Sequence, residues 1–513
     1  MSGGRIALGN AVLQVDGTIG TTPGLHGTEL RISGRAPDTA IVAAVAGVSL
    51  PEGAIALDGG IAVGASGIRL DAVTASIGDT RAGISGILGP RPDRAGTALD
   101  VTLAGADLDD VIGPVTGISP LPPDPFELSA HVTSDPGRVS VSGLAARLGE
   151  TDIEGSLALA HDGRAVLDAN LRSEHVSVAK MLDGFLKAPA ENAPESAAPP
   201  KKKKGKRKGE RLIPDDPLTL DVLGRFDATL RWSVAELALP AMTVRDVAVE
   251  GTVRDGALRI DRIDGTGRNG GRMSGALSIE PAATGYSLRA VAGLADGRLD
   301  LSKGKAESAT LPALDIELEV AGTGRSLREI AAGANGHGLL RLGPGQLPNV
   351  LGDLVTSDVL LGLLDALNPF RKSTPYTGVE CAVAAAEIQG GKAAVEPIAV
   401  RTDKLTIVGK GKVDFSTEGI DLVWTLKPRK GVGISAASIA NPYVKLGGTL
   451  AAPSMEAKPL EAITSTGAAV ATAGLTLLFR GIYDRITAEK KVCVKALEKA
   501  QKNAETRASA KGP

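Results

Sequence analysis

Aromatic side chains are nearly missing: four Tyr, two Trp and six Phe make up 2% of a chain of 513 residues. Stacking platforms for sugars or bases are therefore scarce, as are the aromatic anchors that dominate protein interfaces. The formal net charge is only -2, which argues against general affinity for nucleic acid. The five histidines, His26, His131, His161, His175 and His337, are scattered, and none lies three or four residues from another, so metal-ligand spacing is absent. No P-loop or G-x-S-x-G elbow occurs. The stretch GTGRNGG from Gly265 satisfies G-x-G-x-x-G, but it sits between strand-like segments with no helix to receive a phosphate, and it is read as a turn. Carboxylates are abundant at outward strand positions, where solvation explains them, and nothing singles out a glycosidase-type pair. This inventory points away from an enzyme and from any metal or cofactor. Cysteine is limited to Cys381 and Cys493, which form one disulfide or remain two buried thiols; the sequence leaves both open. The opening MSGGRIALGN has neither a basic segment followed by an apolar run nor a spanning helix. The chain is either cytosolic or begins inside a longer architecture, and its strand-like, glycine-rich start favours the second.

What is present is alternation. Leu405, Ile407, Val413 and Phe415 alternate with Lys404, Thr406, Lys412 and Asp414, and Ile420, Leu422, Trp424 and Leu426 alternate with Asp421, Thr425 and Lys427. A period of two means strands with one dry and one wet face, and the short STEG turn at Ser416–Gly419 makes the pair a hairpin. The pattern recurs upstream. DAVTASIGDTRAGISGIL from Asp71 and SGLAARLGETDIEGSLAL from Ser142 share an alternating strand, a Gly-acid-Thr turn and a second strand. In LDIELEV, Leu314, Ile316, Leu318 and Val320 oppose Asp315, Glu317 and Glu319.

The expected organisation is repeated β-units over 1–187, a linker over 188–217, further units over 218–320, a β region with helices over 321–484 and a charged helical tail over 485–513. The linker is rich in Pro and Ala and then basic, without periodicity, and is expected to be disordered. Its Lys201, Lys202, Lys203, Lys204, Lys206, Arg207 and Lys208 contact anionic headgroups or simply form a solvated loop. SLREIAAGANG reads as a short helix with a glycine C-cap. The segment from Pro348 to Phe370, with Leu351, Leu354, Leu361 and Leu364 at helical spacing, reads as a longer one ending at Asn368-Pro369. An uncharged run of 18 residues, Ala462 to Phe479, is rich in Ser, Thr and Gly and suits a helix on the sheet or on a membrane surface better than a spanning one.

The expected fold is thus mainly β: an elongated, curved antiparallel sheet of repeated hairpins forming a groove, with a few helices near the C-terminus. Too few helices exist to cover every dry face, so the sheet folds on itself, pairs with another sheet or holds something apolar. Roughly 25 strands at about 4.8 Å would give a trough on the order of 120 Å. Ala, Val, Leu and Ile make a smooth lining that suits acyl chains, at about 0.8 kcal/mol for each buried CH2. Candidate lining residues are Leu167, Leu171, Ile316, Leu318, Leu405, Ile407, Leu422 and Trp424. The alternative is a sealed solenoid or sandwich acting as a scaffold.

The C-terminal third, about Leu318 to Leu497, resembles the AsmA family of bacterial envelope proteins. The resemblance rests on GTGRSLREIAAGANGHG, LLDALNPFRKSTPYTGVECAVA, VRTDKLTIVGKGKVDF, LVWTLKPRKGVGIS, NPYVKLGGTLAAPSMEAKPL and TSTGAAVATAGLTLLFRGIYDRITAEKKVC, in that order. It implies an inner-membrane-associated protein facing the periplasm, an elongated β-groove related to bridge-like lipid transfer proteins, and a role in phospholipid supply to the outer membrane. Phospholipids, membrane surfaces and envelope proteins are the implied partners. It also implies a compartment in which a Cys381–Cys493 disulfide forms. Family members usually begin with a spanning helix and this sequence does not, so an N-terminally truncated sequence is expected.

Overall fold

The structure is a computed structural model that describes residues 4–8, 10–21, 24–39, 53–108, 124–161, 163–177, 211–239, 243–298, 311–348, 376–429, 443–458 and 491–510. Among these residues the chain is mainly β, with 25 strands belonging to one sheet and two α-helices. Two compact units result: Met1–Ala193 with Leu220–Pro240 and Arg245–Gly256, and Pro194–Thr219 with Ala241–Val244 and Ala257–Pro513. Most of β13 (Thr243–Arg254), from Arg245 on, belongs to the first unit, and the continuous run of the second begins at Ala257.

The first unit contains β1 (Gly4–Leu8), β2 (Ala11–Thr18), β3 (Thr28–Ala36), β4 (Ile55–Gly64), β5 (Gly67–Ile77) and β6 (Thr80–Leu88). It continues with β7 (Thr97–Gly105), β8 (Phe126–Asp135), β9 (Arg138–Leu148), β10 (Thr151–Ala160), β11 (Ala165–Ser177) and β12 (Phe226–Ala238). Each strand from β1 to β10 pairs antiparallel with the next. Both Gly-acid-Thr turns close hairpins, and their glycines, Gly78 and Gly149, take the same left-handed conformation at φ 54 and φ 56, which a residue with a Cβ adopts only at a cost. One pairing departs from the antiparallel expectation: β11 and β12 run parallel. Parallel partners cannot be joined by a tight turn, and the chain between them is the stretch that carries the basic run. Register shifts at Asp58/Gly60, Leu70/Val73, Ser129/His131 and Gly155/Leu157 are bulges that bend their strands part-way along.

The second unit holds β14 (Ala257–Gly267), β15 (Arg272–Ala282), β16 (Gly285–Arg298), β17 (Ala313–Gly324), α1 (Leu327–Ala332), β18 (Asn335–Leu342) and β19 (Gly345–Pro348). After it come β20 (Tyr376–Gln389), β21 (Lys392–Thr402), β22 (Leu405–Asp414), β23 (Gly419–Pro428), β24 (Tyr443–Gly448), β25 (Pro453–Lys458) and α2 (Val492–Ala510). The strands pair antiparallel in chain order, except that β18 and β19 both lie on β20. GTGRNGG is the turn between β14 and β15, closed by a hydrogen bond from Gly267 N to Gly271 O at 2.9 Å.

The short helix is α1. Ser326 caps it by accepting from Glu329 N at 3.1 Å, and the Glu329 carboxylate accepts from Arg325 N at 2.9 Å and Arg325 Nη2 at 2.7 Å. The Arg325 side chain, and then its backbone N–H, hold the Glu329 carboxyl below its usual range. Glycines bring α1 onto β17: a Cβ at Gly322 would strike the Ile330 carbonyl oxygen, and one at Gly324 would lie 2.5 Å from Glu329 Cβ. Pro348, the first residue of the expected longer helix, ends β19, and the rest of that helix, the run Ala462 to Phe479 and the basic residues Lys201 to Lys208 lie outside the described residues.

Two attachments correct or extend the expectations. The end of the segment expected to be disordered is bound: the Glu418 carboxylate accepts from Leu212 N at 2.8 Å and Ile213 N at 2.9 Å. Arg328 reaches Asp215 at 2.7 Å and the Ile213 carbonyl at 2.8 Å. Turn residue Glu418 is only 1% exposed, and the two amides compensate the burial of its charge. The tail helix α2 is fastened by a disulfide between Cys381 on β20 and Cys493, with Cα atoms 6.4 Å apart and a sequence separation of 112. Lys499 adds an ion pair to Glu396 at 2.5 Å.

Glu380 on β20 bridges Arg401 and Arg429. Burial alone would raise its pKa, but hydrogen bonds and charge from Arg429 and Arg401 outweigh that and hold it below its usual value. A depressed carboxylate stabilises the fold above its ordinary titration range, and that contribution fades as pH falls through the lower folded value. In urea titrations, wild-type stability should therefore fall as pH drops below about 4.3, and Glu380→Gln should flatten that fall. Cys493→Ser should lower the stability of the second unit by about 2–4 kcal/mol, measured by denaturation with and without reductant.

Candidate functional site

Directly opposed residues in an antiparallel pair share a face, so the register turns alternation into rows running across the strands. In the first unit one row is Leu13, Gly34, Leu57, Ala75, Ala82, Leu103, Leu128 and Ala146, from β2 to β9. A neighbouring row brings Val73, Ile84, Val101 and Ala130 together on the same face. All of these are partly exposed and none is fully buried. Farther along, Gly155, Leu171 and Trp232 align, as do Leu159, Leu167 and Ala228. The candidates Leu167 and Leu171 therefore face the same way, both half-buried, and Trp232 Nε1 donates to Ser173 Oγ at 3.0 Å.

The opposite face of the first unit is polar. Arg35, Ala56, Ser76, Arg81, Ala104, Glu127, Arg147 and Asp152 form one of its rows, and Gln14, Ser33, Asp58, Thr74, Gly83, Thr102, Ser129 and Ala145 form the next. A trough of about 1170 Å3 lies between these two rows. Asp100 and His131 sit 2.9 Å apart on this face, whereas His175 and Glu236, 3.7 Å apart, share the face of Leu171 and Trp232. Among the described residues no group of His, Cys, Asp and Glu is arranged to hold a metal. Asp152 is turned to structural use by accepting from Glu174 N at 2.8 Å and His175 N at 2.6 Å.

In the second unit the apolar rows are longer. Leu294, Ile316, Leu340, Ala384, Ile398, Gly409, Trp424 and Val444 form one. Leu314, Leu342, Ala382, Val400, Ile407 and Leu426 form a second, and Ala292, Leu318, Gly338, Ala386, Val395, Gly411, Leu422 and Leu446 a third. All six remaining candidates thus share one face, but in two environments. Leu318 is open, and Ile316 and Leu422 are half-buried. Leu405, Ile407 and Trp424 are sealed with Leu426, Val444 and Leu446 in a dry cluster. The difference was not visible in sequence, because strand alternation reports which way a side chain points and not how deeply it is covered.

The polar face of the second unit has an apolar interruption that the sequence reading missed. Leu339, Val383, Ala399 and Val408 lie on it, and α2 covers them with Val492, Cys493 and Ala496. The available signal was the break in alternation in VECAVAAAEI, where apolar residues occupy both faces. No helix among the described residues is long and apolar enough to cross a membrane.

The chain matches no protein-family model, no curated protein and no solved structure. Its class is set by the geometry: an open sheet with one aliphatic face and one polar face.

The two environments separate by mutation. Ile407→Asp places an uncompensated charge in a sealed cluster and should destabilise the second unit by at least about 3 kcal/mol. Val101→Asp, at a half-exposed position of the first unit, should leave folding nearly unchanged in the same denaturation assay.

Proposed function

We propose that the protein is a non-enzymatic lipid-binding and lipid-transfer protein that carries acyl chains on the aliphatic face of its strands while headgroups stay in water. The observation that carries this reading is the register. In the first unit, side chains from β2 to β9 line up into apolar rows that remain partly open to solvent. Exposed apolar area of that extent needs an occupant, and an acyl chain gains about 0.8 kcal/mol for each CH2 it buries. Bulges support the reading because a strand bent part-way along turns a flat face into a channel running across the strands. The lining of Ala, Val, Leu and Ile imposes little shape selection, so phospholipids as a class fit better than one particular lipid. Movement is passive: the chain slides along the rows.

The resemblance to the AsmA family points the same way, toward phospholipid supply within a bacterial envelope, an inner-membrane-associated position facing the periplasm, and membrane surfaces and envelope proteins as partners. The Cys381–Cys493 disulfide supports an oxidising compartment. For β22–β24 the scaffold alternative has an observation of its own, since that part of the face is sealed by protein.

Native mass spectrometry of the full chain, purified in mild detergent, tests the proposal. Wild type should carry bound phospholipid and Val101→Asp markedly less, with both melting alike. A folded wild-type chain that is free of lipid would overturn the reading and leave the scaffold in its place.

A further inference from the structure

The apolar rows of the second unit do not stay open along their length. In the row through Ile316, Leu340 is 37% exposed, whereas Trp424 and Val444 on the same row are 4% and 3% exposed. The row through Leu318, itself 40% exposed, ends at Leu446, 7% exposed. Closure is built in. Gly409 stands opposite Trp424, and a Cβ there would lie 2.8 Å from Trp424 Cβ, so the missing side chain is what lets the indole-bearing strand pack against β22. Val400, Ile420 and Leu422 pack around the cluster.

From this we infer that the lipid-binding face of the second unit is blind at its C-terminal side: acyl chains occupy the positions of Ile316, Leu318 and Leu340 and stop before Leu405, Ile407 and Trp424. The inference rests on the lipid-binding reading and gives it a boundary. Leu294 on β16, in the row through Ile316, is also only 8% exposed, so chains reach the open positions between it and β22–β24 from solvent, and β22–β24 serve as a stop and not as a stretch of the route. The ligand class is the acyl chain of a phospholipid.

The chain contains two tryptophans, Trp232 and Trp424, which makes a fluorescence test direct. Trp232→Phe leaves Trp424 as the sole reporter without disturbing the sealed cluster, and Trp232→Phe with Leu318→Trp adds a reporter at an open position; Leu340→Trp replaces the latter if it folds poorly. Each full-length variant is mixed with vesicles of phosphatidylethanolamine and phosphatidylglycerol carrying either plain or dibrominated acyl chains, the bromines quenching indoles in contact. Trp424 alone should keep its emission with brominated lipid, and the added tryptophan should lose most of its own. Quenching of Trp424 overturns the blind end while leaving lipid binding intact. Failure to quench the added tryptophan also overturns it; if Trp232 in the wild type is unquenched as well, the lipid-binding reading itself falls.

Discussion

Everything in this molecule depends on strand register. A ladder fixes which residues stand opposite each other, and because side chains alternate, a slip of one position would send every aliphatic residue to the polar face. The register is held where it matters: hairpin turns such as those at Gly78 and Gly149 set the phase of neighbouring strands, and bulges absorb a residue without losing the face on either side of the shift. The apolar rows are the product of many small agreements between turn chemistry and alternation. No single side chain creates them, and the surface they form is diffuse.

Much of this was legible in the sequence because it is local. The hairpin at Ser416–Gly419, the turn GTGRNGG and the common face of Leu314, Ile316, Leu318 and Val320 all follow from neighbours a few residues apart, where a period of two and a glycine are sufficient evidence. The helix α1 was legible for the same reason, from its glycine stop. What escaped were long-range facts. Glu418 looks like an ordinary turn carboxylate until Leu212 and Ile213, more than 200 residues earlier in the chain, present their amides to it. The parallel pairing of β11 with β12 depends on a return path whose composition carries no signal of direction. Leu405, Ile407 and Trp424 were rightly assigned to the apolar face, but their depth is a property of the whole cluster.

The composition now has a physical sense. Aliphatic side chains of similar size give rows without prominences, and the two tryptophans mark opposite conditions on that surface. Trp232 stands half-covered with its N–H given to Ser173, while Trp424 lies in the dry interior. Where the sheet needs covering on its polar side, the chain supplies a helix and fastens it covalently, since an isolated helix of this length is marginal in water.

That fastening has a mechanical consequence. The bond between Cys381 and Cys493 makes β20 and α2 a single covalent loop enclosing β21 to β25. Tension applied to the C-terminal helix, and transmitted through the backbone, enters the sheet at β20 by way of the sulfur bridge. The intervening hairpins lie off that covalent path and take load only through contacts with the helix such as the Lys499–Glu396 ion pair on β21, so the sealed cluster of β22–β24 is shielded while the terminus is pulled.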